Sequence, residues 1–198
     1  MSKDTIVAKA LRCIDEVYPE DNTLNEGHFP TDTFIDEMVR WVIDAVPTHE
    51  LSIREDLELY DYNVSTDGRG YGILPDNFGR LVYFNAGWKR PVFGAITVDD
   101  PLYAQQSNKV LRGNPSRPVV AVVYRSGNTP KKGLEWYTTD VSDYEAQHVP
   151  YSIDFIPPRL EDLAAWKLAE IVLMSMSDAQ AAAVCTAKVN EHIEMLAL

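Results

Sequence analysis

The run FIDEMVRWVIDAVP, Phe34 to Pro47, constrains the fold more than any other stretch of the chain. Phe34, Ile35, Met38, Val39, Val42, Ile43 and Val46 recur at the spacings of an α-helix with one buried face. Thr31 or Thr33 supplies the N-cap and Pro47 the stop. Acidic Asp32, Asp36, Glu37 and Asp44 lie off the apolar face, mostly near the N-terminal half, where the helix dipole favours negative charge. A helix of this kind needs partners to cover its stripe, and the same period returns at both ends of the chain. Ile6, Val7, Ala10, Leu11, Ile14 and Val17 predict a helix from about Asp4 to Tyr18, ended by Pro19. Leu160, Leu163, Ala164, Leu168, Ile171 and Val172 predict another, which breaks near Ser175. Ser177-Asp178-Ala179-Gln180 then reads as a capping box for a last helix to about Ala197.

Between these ends the pattern changes. Residues 52–79 read as a short helix or turn followed by the glycine-containing loop STDGRGYG. Strand-type runs follow: Leu81–Phe84, Pro91–Val98, Arg117–Arg125 and Leu134–Thr139, separated by turns such as SGNTPKKG and trailed by the extended VPYSIDFIPP. The expectation is an α+β fold: a helical bundle formed by the N-terminal helices and a C-terminal antiparallel helical hairpin, with a small, mostly antiparallel β-sheet inserted. The helical part spans 1–60 and 158–198, and the β-rich insertion about 73–157, in a single domain of 198 residues. A chain of that length buries roughly 70% of the surface its unfolded form exposes and needs no covalent staple. Its two cysteines, Cys13 and Cys185, fall inside apolar helical patterns, as small buried hydrophobes of a reducing compartment do. Charges at Asp4, Lys9, Arg12 and Asp15 interrupt the N-terminal apolar residues, unlike a signal peptide, and no run reaches the ~18 apolar residues of a membrane span. A protein made in the cytoplasm, with no membrane partner, is expected.

The net charge of −12 conceals a segregation. Residues 1–79 hold 6 Lys+Arg against 17 Asp+Glu, residues 80–132 hold 9 against 2, and residues 133–198 hold 3 against 11. A basic middle between acidic ends suits attraction to a polyanion, or attraction between the basic part of one copy and the acidic part of the next.

Reactive groups do not converge in the sequence. His28, His49, His148 and His192 show no metal-ligand spacing with one another or with a cysteine. Neither a GxSxG elbow nor a GxxxxGK[ST] loop occurs, and Gly68, Gly70 and Gly72 lack the strand before and helix after that a phosphate fingerprint needs. Asp99-Asp100 reads as a solvated turn before Pro101, His192 as a surface residue, and Trp41, Trp88, Trp136 and Trp166 as packing residues. No catalytic, cofactor-binding or metal-binding residue is assigned; a hydrolase using Asp99, Asp100 and a histidine is the weakest alternative. In RGNPSRPV, Arg112–Val119, Pro115 and Pro118 remove two of the N–H donors a phosphate nest would need, so the stretch reads as a stiff basic lead-in to a strand. Arg112 and Arg117 suit bidentate pairing with carboxylates of a neighbouring copy. Lys89, Arg90, Arg112, Arg117, Arg125, Lys131 and Lys132 are therefore the candidate inter-subunit or partner contacts. The alternative is a nucleic-acid-binding module, in which these residues and Lys109 form a basic stripe with Tyr83, Trp88 and Tyr103 interleaved.

The order of elements resembles the head-to-tail adaptor (connector, or ring) proteins of tailed bacteriophages, most closely those of crAss-like podoviruses. The resemblance rests on the leading helix ending near Tyr18; FPTDTFIDEMVRWVIDAVPTHEL; LPDNFGRLVYFNAGWKRPV; PLYAQQSNKVLRGNPSRPVVAVV; LEWYTT; and the terminal PRLEDLAAWKLAEIVLMSMSDAQAAAVCTAKVNEHIEML. It implies a structural virion protein, not an enzyme: a homo-oligomeric ring, typically a dodecamer, beneath the portal protein at the head–tail interface. Such a ring surrounds the DNA exit channel without sequence-specific binding, serves as a platform for further tail proteins, and uses no cofactor. It would be assembled in the host cytoplasm.

Overall fold

The structure, a computed structural model, describes residues 2–17, 30–66, 68–103, 118–125, 131–138 and 143–196. Helices and sheet combine in two compact units, one of residues 1–52 with 151–198 and one of residues 53–150.

The first unit holds α1 (Lys3–Val17), α2 (Asp32–Ala45), α3 (Glu161–Ser175) and α4 (Ala179–Leu196). Thr31 caps α2, its hydroxyl accepting from the Phe34 N–H, and Ile35, Met38, Val39, Val42 and Ile43 form the buried face. The middle of this unit is α3, which packs against α1, α2 and α4. A helix with neighbours on several sides must be apolar around most of its circumference. Accordingly Ala165, Ala169 and Leu173 are buried beside the expected stripe of Leu163, Ala164, Leu168, Ile171 and Val172. The alanines meet Cys13 and Ile14 of α1 and Ala181, Ala182 and Cys185 of α4 in one cluster. Burial pushes the Cys13 thiol up to about 12 and the Cys185 thiol up to about 11, so both stay protonated. Lys9 of α1 bridges Glu161 (2.9 Å) and Asp162 (2.8 Å) at the acidic start of α3.

The junction between α3 and α4 differs from the expected capping box by one residue. Ser177 has a φ of +62° and lies outside both helices; its N–H donates to the Met174 carbonyl (3.0 Å) and that of Asp178 to Leu173 (3.1 Å). This is a Schellman closure with serine where glycine is usual. The N-cap of α4 is Asp178, whose carboxylate accepts from the Ala181 N–H at 3.0 Å.

The second unit holds β1 (Tyr60–Val64), β2 (Arg69–Ile73), β3 (Phe78–Asn85), β4 (Ile96–Thr97), β5 (Val120–Arg125), β6 (Lys131–Tyr137) and β7 (Glu145–Pro150). Rather than one sheet there are two: a five-stranded sheet in the order β1-β2-β6-β5-β4 and a ribbon of β3 with β7. All pairings are antiparallel except β4 with β5. The unit runs from 53 to 150, not 73 to 157. Its first two strands occupy the stretch read as turn and loop, because glycines at alternate positions hide a strand from propensity. A Cβ on Gly70 would come within 2.3 Å of the Trp136 indole, and one on Gly72 within 2.6 Å of Leu59. Gly70 and Gly72 thus make room for large side chains, and Gly68, at φ +79°, lies against the Thr138 carbonyl. Pro91–Val98 is strand only at Ile96–Thr97, interrupted by Gly94 at φ +82°. Lys131–Gly133, expected in a turn, pair with β2 and β5, and Ile153–Phe155 form a 3-10 turn instead of extended chain.

Trp136 is the centre of this unit's core. It is 0% exposed, 4.7 Å from the Phe84 ring and stacked at 5.7 Å on Tyr62, within a cluster that includes Leu59, Phe78, Leu134 and Val120. Single bridges line the ribbon: Phe84 exchanges both backbone bonds with Val92 (2.9 Å each), and His148 does the same with Arg54 (2.8 and 3.0 Å).

Candidate functional site

The chemistry-bearing residues of the second unit gather in three places. The first is the end of the β5–β6 hairpin at Arg125 and Lys131. Arg125 is paired directly with Lys131, and Tyr124 with Lys132, so two adjacent rungs carry three cations. Cross-strand partners project to the same face, and like charges opposite one another are unfavourable. The Arg125 guanidinium lies 3.5 Å above the Tyr71 ring, Lys132 Nζ is 5.2 Å from the centre of Phe78, and Tyr124 is 67% exposed.

The second place is Glu135, on β6, which is buried at 6% exposure. Its carboxylate has Arg69 Nε at 3.7 Å and an Arg125 terminal nitrogen at 3.9 Å, and accepts from the Tyr103 hydroxyl at 3.4 Å. Arg69 also donates to the Tyr137 hydroxyl at 3.1 and 2.8 Å. Burial first, then the Glu135 charge, raise the Tyr103 pKa, so this phenol is a proton donor to Glu135 and no base. The two arginines compensate the buried carboxylate, and Arg125 thereby links this network to the hairpin end.

The third is a groove of about 690 Å³ lined by Glu55, Asp56, Glu58, Tyr83, Tyr144 and Glu145. Its shape follows from the 55–58 segment running beside β7, where the Leu57 N–H donates to the Ala146 carbonyl. Asp56 is paired with Arg54 at 2.8 Å, which holds its carboxyl below the usual range. The Tyr83 hydroxyl donates to Glu145 at 3.3 Å, and the Tyr144 hydroxyl accepts the Leu59 N–H at 2.8 Å. This acidic groove was not apparent in the sequence, since Glu55–Glu58 and Glu145 are far apart along the chain and are brought together by the bonds of Arg54 and Leu57 to β7.

Of the seven candidate contact residues, Arg125, Lys131 and Lys132 come together at the hairpin end. Lys89 and Arg90 are exposed in the turn after Trp88, and Arg112 and Arg117, with Lys109, lie outside the described residues. The aromatics of the supposed basic stripe are engaged elsewhere: Tyr83 lines the acidic groove, Trp88 is buried, and Tyr103 serves Glu135. The Asp100 carboxylate accepts the Leu102 N–H at 2.8 Å, as the cap of a turn. Among the described residues no group of three or more His, Cys, Asp and Glu is placed to hold a metal ion, and no helix is long and apolar enough to cross a membrane. No family model matches the chain, and no curated protein matches it.

Proposed function

We propose that this chain is a structural subunit of a head-to-tail connector ring, in which identical copies surround the exit channel for DNA beneath a portal and carry the next tail component. In this reading helices from both ends of the chain bundle together, the last two as an antiparallel hairpin, and the sheet-bearing unit faces neighbouring subunits. The observation that carries it is the segregation of charge: cations concentrated at one end of the β5–β6 hairpin and carboxylates lining a groove elsewhere on the same unit. Two unlike patches on one subunit are what a head-to-tail contact needs, and such contacts form a ring when the rotation closes. Net acidity of −12 is compatible with a conduit, because each phosphate neutralised by Lys or Arg adds to DNA binding.

Electron microscopy of the purified protein, alone and mixed with the portal of the same particle, tests the proposal. The expected image is a ring, about twelve-fold, coaxial with the portal; a polypeptide without rotational repetition around that axis overturns it. The exposed Tyr124, on the same rung as Lys132, also favours a nucleic-acid-binding module as a second reading. Steeply salt-dependent binding of short DNA by the monomer is its signature.

A further inference from the structure

We infer that two copies of this chain pair face to face through the outer side of the β3–β7 ribbon, the Phe93 ring of each entering the acidic, tyrosine-walled groove of the other. The inference concerns the protein free in solution and stands apart from the connector reading.

Backbone pairing sets up the surface. Val92 exchanges both backbone bonds with Phe84, which places Phe93 opposite Tyr83, and the Gly94 N–H carries the register on to the Val82 carbonyl at 3.3 Å. Side chains alternate in direction along extended chain. Phe84 and Val92 belong to the Trp136 cluster, so Tyr83 and Phe93 point away from it. Their rings meet edge to face at 5.9 Å, and Phe93 is 76% exposed, more than any other large apolar side chain among the described residues. On the same outer side the Tyr83 hydroxyl reaches Glu145, and Glu55 and Glu58 line the groove beyond it. Aromatic side chains inside a charged rim are the usual make-up of a protein interface.

The occupant follows from how charge is arranged about this aromatic pair. Across the ribbon the order is the segment at Arg54–Leu57, then β7, β3 and Val92–Gly94. Glu55, Glu58 and Glu145 therefore lie to one side of Tyr83 and Phe93 to the other, with Lys89 and Arg90 exposed in the turn that joins β3 to Val92. Of the groove's carboxylates, only Asp56 is ion-paired among the described residues, to Arg54. A partner of one charge would match one side of this face; a second copy matches both. A two-fold axis running along β3 turns the face onto itself with its sides exchanged. Each Phe93 then stands over the partner's groove and each basic turn against the partner's carboxylates, so one contact is made twice. A groove of about 690 Å³ has room for a phenyl ring, whose positive edge suits tyrosine faces and carboxylates. Where the connector reading also holds, the dimer is the protein before assembly, because it occupies the groove.

Sedimentation velocity over a concentration series, with folding checked by circular dichroism, tests the pairing. The wild-type protein should associate to a dimer and no further. Phe93→Ala, at a side chain the fold does not bury, should weaken the dimer at least about tenfold. Lys89→Glu with Arg90→Glu in one protein, and Glu55→Lys with Glu58→Lys in another, should each weaken it by a similar factor, since like charges then meet in both halves of the contact. An equimolar mixture of the two should recover the dimer, because each half again joins opposite charges. A wild-type protein that is monomeric throughout, growth past two copies, a Phe93→Ala protein that dimerises like its parent, unchanged association of both charge variants, or a mixture that stays monomeric overturns the inference. A ring beneath the portal together with any of these outcomes retains the connector reading and rejects this dimer; the dimer without a ring does the reverse.

Discussion

Gly70 and His148 show how single side chains govern the β unit. Trp136 lies flat across Gly70, so Gly70→Ala forces a methyl into an indole that has no exposed edge to retreat to. The expected loss is about 1–3 kcal/mol, measured by urea denaturation followed through tryptophan fluorescence. His148 is buried, its ring stacked on Phe78 at 5.9 Å and its Nδ1 without a hydrogen-bond partner among the described residues. Burial, and then the Arg54 charge, hold its pKa below the ordinary 6.5, with Asp56 only partly opposing. The unfolded chain therefore binds this proton more readily than the folded one. His148 leaves stability intact above about pH 6.5 and reduces it as the pH falls below that value. In His148→Phe, which keeps a ring against Phe78, the denaturation midpoint should shift less between about pH 7 and pH 5 than in the parent. An equal shift would show that other groups set the acid sensitivity. Neither role was legible in the sequence: a glycine run advertises loops, and a histidine without a metal partner advertises nothing until its neighbours are known.

The α-helices, by contrast, were largely legible, because a stripe that repeats every 3.6 residues states where a helix lies without reference to its partners. For α2 the buried face and the Pro47 stop could be read in advance, and the cap as one of Thr31 and Thr33, of which the structure uses Thr31. For α3 only the stripe could be read; that Ala165 and Ala169 are buried as well depends on where α1 and α4 lie. The junction to α4 was misjudged by one residue because Ser177 and Asp178 are both good caps, and the choice is made by the left-handed backbone that ends α3. A serine there is strained where glycine is not, so Ser177→Gly should raise stability by up to ~1 kcal/mol. Thermal denaturation measures this; a lowered midpoint would mean that the serine hydroxyl makes a contact worth more than the strain. Strands were the least legible elements, since β2 carries glycines on one face, β4 has two residues, and β6 begins inside a lysine pair that resembles a turn.

At the level of the whole chain, the alternation of acidic, basic and acidic segments was visible as arithmetic, but its spatial meaning was not. Among the described residues the basic middle does not form one stripe: part of it is drawn inward by Glu135, part stands at the hairpin end, and part lies in an exposed turn. The division into units was likewise foreseen only in outline, and the bridge between Arg54 and His148 explains its observed limits by bringing the two ends of the 53–150 segment together. A polypeptide of residues 53–150 should consequently fold alone, its aromatic cluster contained entirely within 57–146. A cooperative denaturation with Trp136 shielded from iodide quenching is the expected result; a quenchable, non-cooperative species would refute it.

The same two short bridges have a consequence for the company this protein keeps. By occupying rungs on the outer margins of a two-stranded ribbon, Val92 and Arg54 act as stoppers there, shortening the bare margin on which an alien strand could zip itself. An added strand would have to find room elsewhere, as on β1, the outer strand of the larger sheet.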